Sequence, residues 1–395
     1  MLSKLELERI IDDQSQFLSK KTLVKRKLKI PVGSSRIIIV SGVRRCGKSV
    51  LIRQQFLESD NAIYLNFEDP RLINFDLEDF PKLEELMVEK GKTNLLLDEV
   101  QIISNWEIYA RMANEKGTAL YITGSNASML SRELGTKLTG RYSQFELFPF
   151  SYSEFLDFLG LKQEKESFDQ YFETGGFPEY IAEKAGDYFG TLLRDILTRD
   201  IAVRKNINNE QQLIRLAVFL MSNVGKELSY NKISNLLEFK SVRTVIDYCD
   251  FMQESYLLEF VALYSSSIKK QIANPKKVYC IDPAFAKGNS LSFSKDLGRR
   301  LENFVFIQLR RNHKTIYYYR NQKSECDFLI KDQDLIILAI QVCWEVTSEN
   351  LEREIQGIKT AIDETGAEKG IVITYNQKDR INGIDLIPAW QWLID

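Results

Sequence analysis

Two hydrophobic periods alternate along the first third of the chain. Leu5, Ile10, Ile11 and Phe17 mark an apolar helical face in the opening segment, and a basic connector, KKTLVKRKLKIPVGSS, follows. From residue 36 the pattern changes to short, fully apolar runs. Arg36–Ser41 (RIIIVS), Ala62–Phe67 (AIYLNF), Thr93–Leu97 (TNLLL) and Ala119–Thr123 (ALYIT) read as buried strands. Polar or helically periodic stretches separate them, the first being VLIRQQFLE. Strands alternating with helices predict a parallel sheet wrapped by helices.

After Phe148-Pro149-Phe150 the strand runs stop. Residues 151–263 carry helical periodicity, with turns at Gly175-Gly176 and Gly225. Strand runs return at Val278–Ile281 and dominate from Thr315 onward as TIYYYR, CDFLI, LIILAIQV and GIVITY, with a helical stretch at Glu349–Asp363. The expected architecture is multidomain and α/β, with a helical middle and a second α/β domain at the C-terminus.

Composition narrows the chemistry. At about 100–200 residues per domain, 395 residues predict two to four domains. Lys plus Arg total 53 against 55 acidic residues, a net charge of −2 that excludes a uniformly basic nucleic-acid coat. His313 is the single histidine, which excludes two-histidine zinc sites and HExxH chemistry. The five cysteines never fall in a CxxC spacing, so neither a disulfide framework nor a zinc ribbon is expected. No apolar run approaches the ~20 residues that span a bilayer. The expectation is a soluble, cytoplasmic protein without membrane partners.

Gly42-Val43-Arg44-Arg45-Cys46-Gly47-Lys48-Ser49 fits GxxxxGK[ST] between a predicted strand and a predicted helix. Backbone N–H groups of such a loop, at a helix N-terminus, form an anion nest for phosphates. Lys48 would bridge the β- and γ-phosphates, and the Ser49 hydroxyl would ligate Mg²⁺. Arg44, Arg45, Cys46 and Val50 complete the expected nucleotide contacts. Cys46 has two readings. Its place beside Arg44, Arg45 and Lys48 favours a thiolate, whereas a small buried residue would be inert.

Asn94–Glu99 (NLLLDE) is an apolar strand that ends in two acids. At the C-terminal end of a parallel strand such carboxylates face the ligand crevice. Asp98 suits Mg²⁺ binding, directly or through an intervening ligand, and Glu99 suits a general base on the attacking water. Asn126, after the strand ALYIT and its Gly124-Ser125 turn, is placed to position that water. Glu68 and Asp69 point to the same crevice, with a helix-capping or surface role as the alternative.

These motifs resemble AAA+-type ATPases that carry a C-terminal domain of unknown function, DUF4143. The resemblance rests on RRxGKS, LLLDEVQ, ITGSNAS and LTGRYSQFELFPFSYSEF, and continues through Thr174–Glu179 and Arg194-Asp195-Ile196. It reaches Leu301–Val305, Glu325–Phe328 and Ile340–Cys343, covering nearly the whole chain. It implies ATP as ligand and Mg²⁺ as cofactor. It also marks Arg141 as a candidate γ-phosphate sensor or arginine finger.

Five segments are expected: an N-terminal helix and connector (1–35), a P-loop ATPase domain (36–160), a helical connector (161–208), a winged-helix-like domain (209–281) and a C-terminal domain (282–395). The winged-helix reading rests on helical segments Asn209–Val224, Ser229–Glu238 and Ser241–Glu254, followed by wing strands Leu257–Leu263 and Val278–Ile281. Lys240, Arg243, Lys269 and Lys270 would then lie near DNA phosphates, with packing or protein contact as the alternative use. Residues 266–325 hold 13 Lys/Arg and 4 Asp/Glu, a local excess of +9. That stretch suits either a polyanion or the chain's own acidic remainder.

The C-terminal order of Glu302, Asp327 and Gln341-Val342-Cys343 resembles a PD-(D/E)XK nuclease core. In place of the second acid and the lysine stand neutral Gln341 and Cys343, so cleavage chemistry is expected to be lost. Glu302 is expected to pair with Arg299 or Arg320. The leading expectation is an ATP-driven switch with partner- or DNA-recognising modules. An ATP-gated nuclease and a non-hydrolysing nucleotide-sensing scaffold are the alternatives.

Overall fold

A computed structural model describes residues 2–19, 25–57, 61–125, 138, 140–184, 186–291 and 296–394, and it divides into two compact units, Met1–Leu147 and Phe148–Asp395.

The first unit is built on a five-stranded parallel sheet. Strands β1 (Ile37–Ser41), β2 (Ala62–Asn66), β3 (Asn94–Asp98), β4 (Ala119–Gly124) and β5 (Tyr142–Glu146) lie in the order β2-β3-β4-β1-β5. The three inner strands are buried along nearly their whole length, which is why they read as unbroken apolar runs. β5 has no such run. It is an edge strand of intermediate burial, and its YSQFE sequence carried no strand signal of its own. Helices α2 (Lys48–Leu57), α3 (Phe80–Glu89) and α4 (Trp106–Glu115) are the connections.

Helix α1 (Lys4–Ser19) covers the β2 edge. Leu7, Ile10 and Ile11 are buried, whereas Leu5 is 58% exposed. The spacing explains the correction. Leu7 precedes Ile10 and Ile11 by three and four residues and shares their face, but Leu5 sits about 140° around the helix from Ile10. The Phe17 side chain lies outside the described residues. Gln14 pairs with the edge strand as a backbone mimic: its Oε1 accepts from Asn66 N (2.8 Å) and its Nε2 donates to Asn66 O (3.3 Å).

The second unit opens with helix Tyr152–Leu159, started by a capping box between Ser151 and Glu154 and stopped by Gly160 in a left-handed conformation. Helices Lys165–Thr174, Pro178–Glu183 and Tyr188–Asp195 follow, the last running into a π-helical turn at Ile196–Ala202. Helices Glu210–Met221, Tyr230–Leu236 and Val242–Glu254 come next, with the short strand β6 (Glu227–Leu228) after the first. Strands β7 (Leu258–Leu263) and β8 (Lys276–Cys280) are antiparallel, and β6 pairs with β8. A helix, Ile268–Ala273, occupies the segment between β7 and β8.

Helices Pro283–Asn289 and Leu297–Asn312 lead into β9 (Ile316–Arg320), β10 (Glu325–Asp332) and β11 (Leu335–Cys343). Helix Leu351–Thr365 and strands β12 (Gly370–Thr374), β13 (Asp379–Ile381) and β14 (Ile384–Pro388) complete the core. All nine strands form one sheet in the order β13-β14-β12-β11-β10-β9-β7-β8-β6. The join is a parallel pairing of β7 with β9, Ala262 opposite Tyr317 and Leu263 opposite Tyr318.

Asp282 ties the helical part to this sheet. Its buried carboxylate accepts from Ala284 N and Phe285 N (both 2.9 Å), capping helix Pro283–Asn289, and from Gly176 N (2.7 Å). Asp282→Ala leaves three buried donors unmatched and is expected to cost ~3 kcal/mol of stability, read from the midpoint of denaturant unfolding. A midpoint unchanged from the parent would show that those donors find other partners.

Candidate nucleotide-binding site

β1 ends at Ser41 and α2 begins at Lys48, so residues 42–47 form the connecting loop. Gly42 is required by close approach, since a Cβ there would stand 2.1 Å from the Leu147 carbonyl oxygen. Gly47 has φ +101°, a conformation L side chains rarely adopt. Behind the loop, the buried Arg26 donates from Nη1 to Cys46 O at 2.6 Å. Sequence reasoning missed Arg26, which is one of several basic residues in a connector with no motif. Lys48 is buried, and its Nζ bonds Gly42 O (3.2 Å) and Val43 O (3.1 Å) and lies 3.9 Å from Glu99 Oε1. Arg45 and Ser49 are exposed, Val50 is half-buried, and Arg44 pairs with Glu68 at 3.2 Å.

Asp98 is wholly buried at the end of β3. Tyr64 OH donates to its Oδ2 at 2.7 Å, Thr123 Oγ1 donates to its Oδ1, and the Ser49 hydroxyl also bonds it. Burial, and then the neighbouring Glu99 charge, push the Asp98 carboxyl above its ordinary range, against those three hydrogen bonds. Glu99 adopts a left-handed backbone (φ 53°, ψ 40°), and its N–H is held by Thr123 Oγ1 at 3.1 Å. Strain of this kind persists only where the surroundings impose it. Gln101 Nε2 donates to Glu99 Oε2. Tyr64 and Thr123 were not singled out from sequence. Their signal is positional: both lie on strands flanking β3, near its C-terminal end.

The donor set fits a nucleotide with Mg²⁺. The loop admits close backbone approach, and an exposed hydroxyl backed by a buried carboxylate is oxygen chemistry suited to a hard cation. A cavity of about 600 Å³ opens from Ser49 and Val50 past Arg53 and Tyr64 to Asn66 and Asp69.

Arg141 precedes β5, whose Tyr142 is opposite Ile37 at the start of β1, and it pairs with Glu115. β1 runs from that end to the loop, so Arg141 is at the opposite edge of the sheet, about 13 Å or more from the loop of its own chain. Asn126 lies outside the described residues. Asp69 caps the turn Pro70–Leu72 and pairs with Arg71, whose hydrogen bond first of all lowers its carboxyl to about 2. Its capping role is the one observed.

Cys46 takes the inert reading. It is fully buried, its Sγ donates to Leu147 O (3.3 Å), and burial raises its thiol pKa despite Lys48 and Arg26. The loop's positive charge is outweighed because the thiol faces away from solvent.

In the second unit Glu302 pairs with neither expected arginine. Arg299 pairs with Asp296 and Arg320 with Glu227. Glu302 and Asp327 instead share Lys277, at 3.0 and 2.8 Å. Burial, and then the charge of Asp327, push the Glu302 carboxyl above its ordinary range. Burial pulls Lys277 down, but Asp327 and Glu302 outweigh it and hold the ammonium charged. Part of the basic stretch 266–325 is matched within its own unit: Lys287 and Arg300 pair with Glu173, Arg310 with Glu259 and Arg320 with Glu227. Among the described residues no helix is long and apolar enough to cross a membrane.

A glycine-bounded loop between β1 and α2 of a parallel sheet, with Asp98 at the end of β3 and Glu99 just beyond it, defines an AAA-type P-loop domain. A family model described as AAA domain matches residues 34–156, and domains of unknown function DUF8612 and DUF4143 match 165–294 and 297–392. An uncharacterised protein of Methanocaldococcus jannaschii is 32% identical, over 98% of this chain and 95% of that one. One from Haemophilus influenzae is 30% identical, over 91% and 94%. A katanin structure aligns with 64% of this chain and 85% of its own at 16% identity and a TM-score of 0.25, and that likeness carries no weight here. The chain belongs to the family of AAA-domain proteins with a C-terminal DUF4143 domain, and its first unit is a nucleotide-binding P-loop domain.

The buried thiol gives a direct test. Cys46 is expected to resist iodoacetamide at neutral pH in the folded protein, with or without ATP–Mg²⁺, and to label only after unfolding. Peptide mass spectrometry checks this, and rapid labelling of the native chain would restore the thiolate reading.

Proposed function

We propose that the first unit hydrolyses ATP and that the cycle drives a switch read by the modules that follow. One observation carries this reading: Lys48 Nζ and the Glu99 carboxylate stand 3.9 Å apart over the loop, and Glu99 is held in its strained conformation by Thr123. A phosphate-binding cation and a base for water are thus side by side.

The roles follow from present partners. Lys48 bonds two neutral carbonyls, which a phosphate oxygen would displace as the stronger, charge-assisted partner. Ser49, oriented by Asp98, would hold Mg²⁺, which supplies charge neutralisation for the phosphate oxygens. Glu99 accepts the proton of the attacking water, and Thr123 fixes the backbone that aims it. Arg141 is proposed to serve a site on another copy of the chain.

The helix–strand–helix–helix–hairpin order of residues 210–280 supports a winged-helix-like module. Lys240, Arg243, Lys269 and Lys270 are exposed there, although Arg243 pairs with Asp247 at 2.9 Å. Nuclease action is not proposed, because Glu302 and Asp327 hold an ammonium.

Lys48→Ala is expected to weaken ATP binding severely by calorimetry. Glu99→Gln is expected to bind ATP at parental affinity while turnover falls ~10²–10⁴-fold. If the parent protein shows no turnover beyond Glu99→Gln while binding ATP, the scaffold reading takes over.

A further inference from the structure

Arg26 lies in the connector ahead of β1, outside the glycine-bounded motif, and no step of the ATP cycle proposed above uses it. Its guanidinium is nonetheless a fixed positive charge in a residue only 4% exposed. Burying a charge is costly unless it is well partnered, and here the partner is the phosphate loop. Nη1 donates to Cys46 O at 2.6 Å, a charge-assisted bond. The same nitrogen lies against the next residue, since a Cβ at Gly47 would stand 2.9 Å from it. The Arg26 backbone N–H donates to Gln54 Oε1 on α2 at 3.2 Å. One residue from a different segment of the chain thus brackets both the loop and the helix that follows it.

Peptide geometry then orients a donor. The Cys46 carbonyl and the Gly47 N–H belong to one planar trans unit and point in opposite directions. Holding the oxygen on Arg26 turns the Gly47 N–H to the other side. Leu51 N donates to Gly47 O at 3.1 Å, so helical bonding starts at Gly47, and the N–H groups of Lys48, Ser49 and Val50 have no acceptor within the helix. The turned Gly47 N–H adds one more donor to that row, which is what an anion nest requires. Charge acts in the same sense. Burial raises the Cys46 thiol, and Lys48 and Arg26 both oppose it, so both cations are felt at the centre of the loop.

We propose that Arg26 is a positioning residue for the triphosphate: its guanidinium sets the Cys46–Gly47 peptide with the N–H toward the phosphates and supplies a second fixed positive charge beside that of Lys48. This rests on the use of the loop for ATP proposed above. A loop without Arg26 keeps every residue of its motif but can turn that peptide over and present a carbonyl oxygen to the anion. The effect is therefore on binding the nucleotide, with the base at Glu99 left in place.

The test is calorimetric titration of the full-length chain with ATP–Mg²⁺, beside steady-state turnover. Arg26→Ala is expected to bind ATP about 10–100-fold more weakly than the parent. Its KM should rise correspondingly, while kcat at saturating ATP stays close to parental. Millimolar guanidinium, far below denaturing concentration, should restore much of the lost affinity, and sodium chloride at the same concentration should not. Arg26→Lys keeps the charge but lacks the planar fork, so its affinity should fall between those of the parent and Arg26→Ala. A folded Arg26→Ala with parental ATP affinity overturns the proposal. So does a loss that neither guanidinium nor lysine relieves, which is the result a merely structural arginine would give. Should Arg26→Ala fail to fold, Arg26→Lys must fold and bind ATP more weakly than the parent, and parental affinity there counts against the proposal. The two readings fail separately. A parent that binds ATP without turnover removes hydrolysis and leaves the affinity comparison to decide the role of Arg26, whereas a hydrolysing parent matched in affinity by Arg26→Ala removes that role alone.

Discussion

The first unit is organised around a carboxylate that has no access to water. Burying Asp98 is expensive, and the cost is offset by hydroxyls from three directions: Tyr64 on β2, Thr123 on β4 and Ser49 on α2. Parallel strands make this possible, because their C-terminal ends come level at one edge of the sheet. Through Thr123 the same network reaches the backbone of Glu99, and through Ser49 it reaches the phosphate loop. Loop, metal-binding hydroxyl and base are thereby referred to one fixed point, so a shift of any one strand would be felt by all of them.

Two buried lysines show how partner strength decides use. Lys48 rests on two neutral carbonyls, with a carboxylate at 3.9 Å. Those bonds are weak enough to be exchanged for an anionic ligand. Lys277 is held by two carboxylates at 3.0 and 2.8 Å, and breaking such a pair would leave uncompensated charge in the interior. The first ammonium is poised for exchange, and the second is committed to structure.

Sequence reasoning recovered what local pattern encodes. The three inner strands of the first sheet and the loop from Gly42 to Ser49 are legible because each carries its signal within a few residues. Leu5 was misplaced by loose spacing, whereas Leu7 fits the strict helical interval with Ile10 and Ile11. β5 was missed because an edge strand needs no apolar run. β13 and β14 were missed although Asn382-Gly383, both at positive φ, is a strong hairpin signal. The pairing of Lys277 with Glu302 and Asp327 was out of reach, since 25 and 50 residues separate the lysine from its partners. Charge counting over 266–325 found the basic excess but not the partners of part of it, because Glu173, Glu227 and Glu259 lie earlier in the chain.

The parallel pairing of β7 with β9 bears on the order in which the chain can be completed. The DUF8612 match ends at residue 294 and the DUF4143 match begins at 297, yet one hydrogen-bonded sheet runs through both. While the chain emerges during synthesis, β7 presents a bare edge until Tyr317 and Tyr318 arrive to cover it. Closing that ladder spans 55 residues, from Ala262 to Tyr317 (317 − 262), so it carries the loop-closure entropy of a long connection. The helical segment made first must therefore wait, partly unfinished, for a strand encoded in the next domain, and a cut between the two would leave both pieces with an open, adhesive edge.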